Sequence, residues 1–270
     1  MKRNFPQLLL FAFVCVLVLA SCSKIDGHYT KKGQIFYGLT SKNEIVKYNA
    51  KEPGIVLQTL NVTGLESGDE LMAIDFRPAT GQLYAMSRNS RLYVINLQTG
   101  ATGGPVGDDA FSPEVYGTFV GFDFDPVKDR IRQVTDLGQN LLIHPVTSMT
   151  TQVDGSLNPG TPFVVGSAYT NNKKGARSTE LYGIDLSSQK LVKQGSNGKL
   201  SPVGSLRLNA SGEVGFDISP DNQVVLASLN VGVGSKFPVN GLYYIDLKTG
   251  EATKIGDLAR PIIGLAIPTR

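Results

Sequence analysis

The stretch LMAIDFRPATGQLYAM at residues 71–86 contains the pattern that decides the fold. Its core is a small residue, an apolar residue, Asp or Ala, and another apolar residue. The same four-residue unit returns along the chain, starting at Ala73, Gly121, Gly166, Gly215 and Gly264. Successive units lie 48, 45, 49 and 49 residues apart. A repeat of this length, built from short alternating segments, is typical of a β-propeller with one blade per repeat.

Alternating polar and apolar residues with Gly, Pro, Asn and Asp between them predict twenty short strands in five groups of four. The first group, which begins with IFYGLT at 35–40, has three strands and no inner strand before them. The last segment, PIIGLAI at 261–267, is an inner strand with nothing after it. We therefore predict an all-β, five-bladed β-propeller of four strands per blade, closed by docking the C-terminal strand into the first blade.

The N-terminus predicts a lipoprotein signal peptide at residues 1–21. Lys2 and Arg3 precede a run of 13 apolar residues at 8–20, which is too short to span a bilayer. The run ends in Leu-Ala-Ser-Cys at 19–22, which resembles the lipobox of bacterial lipoproteins. That resemblance implies lipid attachment at Cys22. The polar residues without periodicity that follow predict a tether at 22–33, and the repeats predict a propeller domain at 34–270. By resemblance to the sorting of enteric lipoproteins, a residue other than Asp after the lipidated Cys, here Ser23, implies the outer membrane of the cell envelope.

Composition excludes several kinds of site. Without the signal peptide, 24 basic residues face 23 acidic ones and no polybasic run remains, so no nucleic-acid partner is expected. The two cysteines are Cys15 and Cys22, which leaves the folded body without a disulfide or a cysteine-based metal site. No glycine loop joins a strand to a helix, so nucleotide binding has no support.

Several long stretches identify a family resemblance, and they occur in order over residues 34–268: IDFRPATGQLYA, RLYVINLQTGA, GFDFDPVKDRIRQV, GQNLLIHP, SLNPGTPFVVGSAYTNN, ELYGIDL and VGFDISP. They resemble a widespread family of secreted bacterial domains of unknown function. The resemblance implies a propeller-like fold and an extracytoplasmic location, and it brings no activity or catalytic residues. His144 stands where Asn is usual in the family.

The best candidate site is a ring formed by Asp75, Asp123 and Asp217, with Ala168 and Ala266 at the other two repeat positions. Five-fold geometry would bring the three carboxylates close to the axis. They could hold a hard cation such as Ca²⁺, or supply acid and nucleophile for glycoside cleavage. They could also accept backbone hydrogen bonds from their own following turns or from the neighbouring blade. Their equivalent repeat positions favour this structural role.

Arg130 and Arg132 lie two residues apart and share one face of a predicted strand, where they could contact an anion. An ion pair between blades, with Asp129 or Asp136, is the competing interpretation. His144 precedes Pro145 at the end of a strand and is interpreted as a structural residue.

These features favour a non-catalytic binding or scaffold module of the bacterial envelope over an enzyme, with a glycan or an envelope protein as partner. The alternative is an axial glycan-active hydrolase or lyase that uses Asp75, Asp123 and Asp217. A purely structural envelope component is the third class. No cofactor is expected other than Ca²⁺ at the axial ring.

Overall fold

The computed structural model describes residues 33–232 and 239–269. These residues form five antiparallel sheets of four strands each. The predicted signal peptide and most of the predicted tether, including Cys22, lie outside the described residues. Within the described part of the chain, no helix has the length and hydropathy needed to cross a membrane.

Each sheet is one blade, in which the strands follow one another from the axis to the rim. Blade 1 contains β20 (Gly264–Ala266), β1 (Ile35–Leu39), β2 (Glu44–Asn49) and β3 (Val56–Asn61). Blade 2 contains β4 (Leu71–Phe76), β5 (Leu83–Ser87), β6 (Leu92–Ile95) and β7 (Thr102–Pro105). Blade 3 contains β8 (Val120–Asp125), β9 (Arg130–Thr135), β10 (Asn140–Ile143) and β11 (Thr150–Val153).

The remaining two blades follow the same order. Blade 4 contains β12 (Val164–Tyr169), β13 (Leu181–Asp185), β14 (Lys190–Gln194) and β15 (Leu200–Ser205), with a 3₁₀ turn at Ser196–Gly198. Blade 5 contains β16 (Ala210–Ile218), β17 (Val225–Val231), β18 (Val239–Ile245) and β19 (Ala252–Asp257). The repeat therefore predicted the number and grouping of the strands correctly.

The five inner strands surround the axis in the order β20, β4, β8, β12 and β16, and β16 returns to β20. The C-terminal strand β20 pairs antiparallel with β1, with Ala266 opposite Tyr37 and Gly264 opposite Leu39. This pairing confirms the predicted closure. The ladder is shorter than the predicted 261–267 segment, although Ile262 and Ile267 on either side of it are buried.

Burial falls from the axis to the rim. Every residue of β4, β8 and β12 is buried, whereas β3 alternates between half-buried and exposed residues. The inner strands are crowded because they converge on one axis. A Cβ atom added at Gly215 would lie 2.6 Å from the backbone nitrogen of Leu265 in the neighbouring inner strand. Only glycine allows blades 5 and 1 to approach this closely.

Adjacent blades pack through apolar clusters, and one interface differs from the rest. Four interfaces each contain a cluster of 11 to 16 buried residues. The cluster between blades 3 and 4 has five: Val134, Leu157, Val164, Val192 and Leu200. Polar side chains occupy the space that apolar ones fill elsewhere, and this interface carries one of the two candidate sites.

Candidate functional site

The first candidate site is the axial acid cluster, defined as Asp75, Asp123 and Asp217. Each residue lies near the end of an inner strand, and each is 1% exposed. One carboxylate oxygen from each residue lies within 4.8 Å of the other two. The propeller thus brings together three side chains that are 48 and 94 residues apart in sequence.

Backbone amides from two blades bind these carboxylates. Asp75 accepts hydrogen bonds from the amide of Phe76, at 2.7 Å, and from that of Phe124 in blade 3, at 2.9 Å. Asp217 does the same with Ile218, at 2.6 Å, and with Ile267 of blade 1, at 2.5 Å. The donors are residues of the inner strands and their ends, not of the following turns. Each of these two carboxylates therefore links its own blade to the next one.

Asp123 is bonded less completely than its two equivalents. It accepts a hydrogen bond from the amide of Tyr169 in blade 4, whereas its Oδ1 atom is buried without a hydrogen-bond partner. A buried carboxylate oxygen without a donor costs free energy unless a proton or a cation compensates its charge.

Burial also changes the acidity of the cluster. It raises the pKa of Asp75 and of Asp123 well above the usual value, and the neighbouring carboxylates add to the rise. Burial raises the pKa of Asp217 to about 7, against the opposing effect of its amide donors. Three negative charges cannot persist together in this sealed space without a counter-charge.

Asn172 joins this cluster, although it lies outside the repeat positions that predicted the three aspartates. It is completely buried next to Asp217, where its amide lowers the pKa of that carboxyl group. Neither its Oδ1 nor its Nδ2 completes a hydrogen bond of normal geometry. The signal in the sequence is Thr-Asn-Asn at 170–172, which follows the inner strand of a blade whose repeat position is Ala168.

The axis is nearly closed on the side where the inner strands begin, which we call the start face. A shallow pocket of about 120 Å³ opens on this face, between Glu70, Arg88 and Glu213. It adjoins an axial cavity of only about 10 Å³ at the level of Ile74 and Phe122. Such a cavity has room for about one water molecule. A sugar ring therefore has no path from the start face to the carboxylates.

The second candidate site is the blade 3–4 cleft, on the end face where the inner strands finish. It is an open cleft of about 600 Å³ that is lined by charged and polar side chains from both blades: Asp125, Lys128, Arg132, Tyr169, Arg177, Glu180, Lys193 and Gln194. Volumes of about 300–1,000 Å³ are common for sites that bind small molecules.

A buried polar network forms the base of this cleft. Arg132 donates hydrogen bonds to Asp154, at 2.5 Å, and to Asn140, at 2.7 Å, and Gln194 of blade 4 donates to the same Asn140 oxygen at 3.2 Å. Burial alone would raise the pKa of Asp154, but the hydrogen bonds from Arg132 and Gln152 hold it below its usual value. Burial raises the pKa of Tyr169, whose hydroxyl faces Arg132 at 3.4 Å, to about 12.

The two arginines of the predicted anion contact have separate environments. Arg132 lines the cleft, whereas Arg130 donates to the backbone carbonyls of Lys128 and Asp129. The carboxylate of Asp129 forms its ion pair with Arg77 of blade 2, at 2.5 Å. Arg132 pairs with Asp154, so neither of the predicted partners, Asp129 and Asp136, holds it.

His144 occupies a hairpin turn between the third and fourth strands of its blade. Its Nδ1 atom accepts hydrogen bonds from the amides of Val146 and Thr147, both at 3.2 Å. In the equivalent turns of blades 2 and 5, the Oδ1 atoms of Asn96 and Asp246 accept the same pair of bonds. The imidazole therefore replaces an Asx side chain, and its role is structural.

Comparisons with known proteins give a family and no activity. One solved structure, of a protein of unknown function from Bacteroides caccae, aligns with a TM-score of 0.44 and 10% sequence identity. The alignment covers 88% of this chain and 100% of that chain. A search of curated proteins finds no match. The family described as "Domain of unknown function (DUF4394)" matches residues 44–266, and the chain belongs to this family.

Proposed function

We propose that the chain is a lipid-anchored, non-catalytic binding module of the bacterial envelope. The anchor would be the lipid on Cys22. The apolar run with its Leu-Ala-Ser-Cys ending supports this location at the envelope. The tether at 22–33 would hold the propeller away from the membrane surface, and Ser23 favours the outer membrane as its location. The propeller itself is a rigid platform on which surface clefts can present a binding site.

The observation that carries the binding role is the polar composition of the blade 3–4 cleft. The interface has the smallest apolar cluster of the five, and a network of Arg132, Asp154, Asn140 and Gln194 replaces the missing apolar contacts. A buried polar network stabilises less reliably than apolar packing, so a propeller gains little stability from this exchange. A fixed guanidinium at the base of a cleft is well suited to orient a polar ligand.

The charges around the cleft favour an anionic ligand. The exposed cations Lys128 and Arg177 line it, and neither has a carboxylate within 4.0 Å in the described part of the chain. The loop that carries Arg177 also exposes Lys173 and Lys174. Glu180 is paired with Lys193 at 2.8 Å. An acidic oligosaccharide of the envelope or its surroundings would match this combination of cations, amides and a tyrosine.

The burial of the axial acid cluster argues against the alternative of a glycan-active hydrolase or lyase. Glycosidases flank the scissile bond with their two carboxyl groups, so the sugar must reach both of them. The approach from the start face ends in the cavity of about 10 Å³, which is too small for a sugar ring. The amide hydrogen bonds to Asp75 and Asp217 also lower the nucleophilicity of their carboxylate oxygens.

Calorimetric titration of the full chain in detergent tests the proposal. The probes are a galacturonic acid tetramer and a neutral glucose tetramer. We expect the acidic tetramer to bind and the neutral one to bind at least about tenfold more weakly, a difference of about 1.4 kcal/mol. Lys128→Glu with Arg177→Glu should abolish the preference. The matched control is Lys42→Glu with Lys51→Glu, which makes the same charge change in blade 1. Equal loss in both double variants, or no binding of the acidic tetramer, would refute the proposal.

A further inference from the structure

The axial acid cluster has a chemistry that the binding function does not use. Three carboxylates lie with one oxygen each within 4.8 Å of the others, and each residue is 1% exposed. Backbone amides bind Asp75 and Asp217 through both of their oxygens, but these bonds offset only part of the charge. Each carboxylate oxygen has two lone pairs, so a site for a further ligand remains on every one of them.

Two buried polar groups at the axis have atoms that no hydrogen bond satisfies. The Oδ1 atom of Asp123 is buried without a donor. The side chain of Asn172 is completely buried next to Asp217, and neither its oxygen nor its nitrogen completes a hydrogen bond of normal geometry. Native proteins rarely leave buried polar atoms unsatisfied. Several unsatisfied polar atoms at one position therefore indicate a binding site for an ion or a water molecule.

We propose that Asp75, Asp123, Asp217 and Asn172 form a Ca²⁺ site that stabilises the packing of the blades around the axis. All four side chains contain oxygen atoms, which are the ligands that hard divalent cations prefer, and Asn172 would have to turn its Oδ1 atom toward the ion. Ca²⁺ binds oxygen at about 2.3–2.6 Å, so two of its ligands lie at most about 5 Å apart. The separations of up to 4.8 Å in the cluster meet this limit without rearrangement.

Mg²⁺ fits the same atoms less well. Its oxygen ligands lie at about 2.0–2.1 Å, so two opposite ligands are about 4.2 Å apart and the octahedron tolerates little distortion. The carboxylates of Asp75 and Asp217 are fixed by amides of two blades each, which limits their ability to contract around a smaller ion. The site should therefore prefer Ca²⁺.

The ion would act structurally, because its ligands come from four stretches of sequence. Asp75 belongs to blade 2, Asp123 to blade 3, Asn172 to blade 4 and Asp217 to blade 5. Asp217 also binds the amide of Ile267, next to the strand that closes blade 1. One bound ion would thus stabilise the closed ring at its centre.

The test combines metal analysis with thermal unfolding of the full chain in detergent. After dialysis against Ca²⁺ and removal of free ion, elemental analysis should find one Ca²⁺ per chain. Stripping with EDTA under mildly destabilising conditions should lower the unfolding midpoint. Free Ca²⁺ at about 100 times its dissociation constant should raise it again by about 5–10 °C. Mg²⁺ at the same concentration should raise it less.

Variants separate the axial site from ions bound elsewhere. Asp123→Asn should remove most of the Ca²⁺-dependent shift, and Asn172→Ala should weaken Ca²⁺ binding at least tenfold. The matched control is Asp185→Asn, which changes a buried aspartate of blade 4 outside the cluster and should keep the full shift. If Asp123→Asn does not fold, Asn172→Ala and the metal content of the unmodified chain decide the question. Absence of bound Ca²⁺, or an undiminished shift in Asn172→Ala, would overturn the proposal and leave shared protons as the counter-charge.

Discussion

Deletion of residues 261–270 removes the strand that closes the ring, and the structure gives the size of the effect. Ile262, Leu265 and Ile267 are at most 3% exposed and belong to the cluster between blades 5 and 1. Replacing one such residue by Ala costs about 2–5 kcal/mol, so losing all three removes about 6–15 kcal/mol. A domain is stable by about 5–15 kcal/mol in total. The deletion should therefore abolish folding.

The deletion also leaves polar groups without partners. Asp217 loses the amide of Ile267, and the edge of β1 loses the ladder that it forms with β20. An open inner edge promotes aggregation. The assay is thermal unfolding followed by circular dichroism, with light scattering to detect aggregates. We expect no cooperative transition in the deletion variant.

Point variants measure how much a single buried side chain of this strand contributes to the free energy of unfolding. Leu265→Ala should lower the free energy of unfolding by about 2–5 kcal/mol, which corresponds to about 4–20 °C in the unfolding midpoint. The matched control is Leu57→Ala on the rim, where the side chain is 52% exposed and the change should stay within about 0.5 kcal/mol. A deletion variant that unfolds cooperatively at the unmodified midpoint would refute the argument.

Three further predictions concern single residues. Cys22→Ala should release the protein from the membrane fraction of its native host, and labelled lipid on another residue with unchanged anchoring would contradict this. Burial lowers the pKa of His144, and its neutral Nδ1 accepts two amide bonds, so its contribution to stability is complete above about pH 6.5 and declines as the pH falls. His144→Asn should unfold with a weaker dependence on pH between about 7.5 and 5.5, and identical slopes would show that the imidazole does not titrate in this way. With EDTA present, Asp75→Ala should cost about 1–3 kcal/mol more than Asp75→Asn, because Asn keeps one acceptor oxygen for the amide of either Phe76 or Phe124, whereas Ala keeps none. Equal unfolding free energies for the two variants would show that these amide bonds contribute little.

The sequence predicted the architecture because several separate features of the repeat indicate the same fold. Alternation along each strand, a small residue at each inner position and the unpaired segments at the two ends all require the same closed ring. The three acids of the axial cluster were also predictable, since equivalent positions in a propeller must meet at its axis.

The remaining part of the two sites depends on contacts that strand alternation does not encode. Asn172 follows its inner strand as an ordinary polar residue, and only the fold places it next to Asp217. The sequence predicted Arg132 as an anion contact, but it did not predict that Arg132 and Gln194 meet through Asn140 at the interface with the smallest apolar cluster. Tertiary packing decides such contacts, and a single sequence gives no direct signal for them.

We propose separate roles for the two sites: the blade 3–4 cleft binds the ligand, and the axial acid cluster stabilises the fold. Calorimetric titration of the galacturonic acid tetramer into three forms of the full chain, below their unfolding temperatures, tests this proposal most directly. We expect Asp123→Asn to bind as tightly as the unmodified chain, and Lys128→Glu with Arg177→Glu to bind at least about tenfold more weakly, a loss of about 1.4 kcal/mol. Loss of binding in Asp123→Asn, with binding retained in the double variant, would place the ligand at the axis and contradict the account.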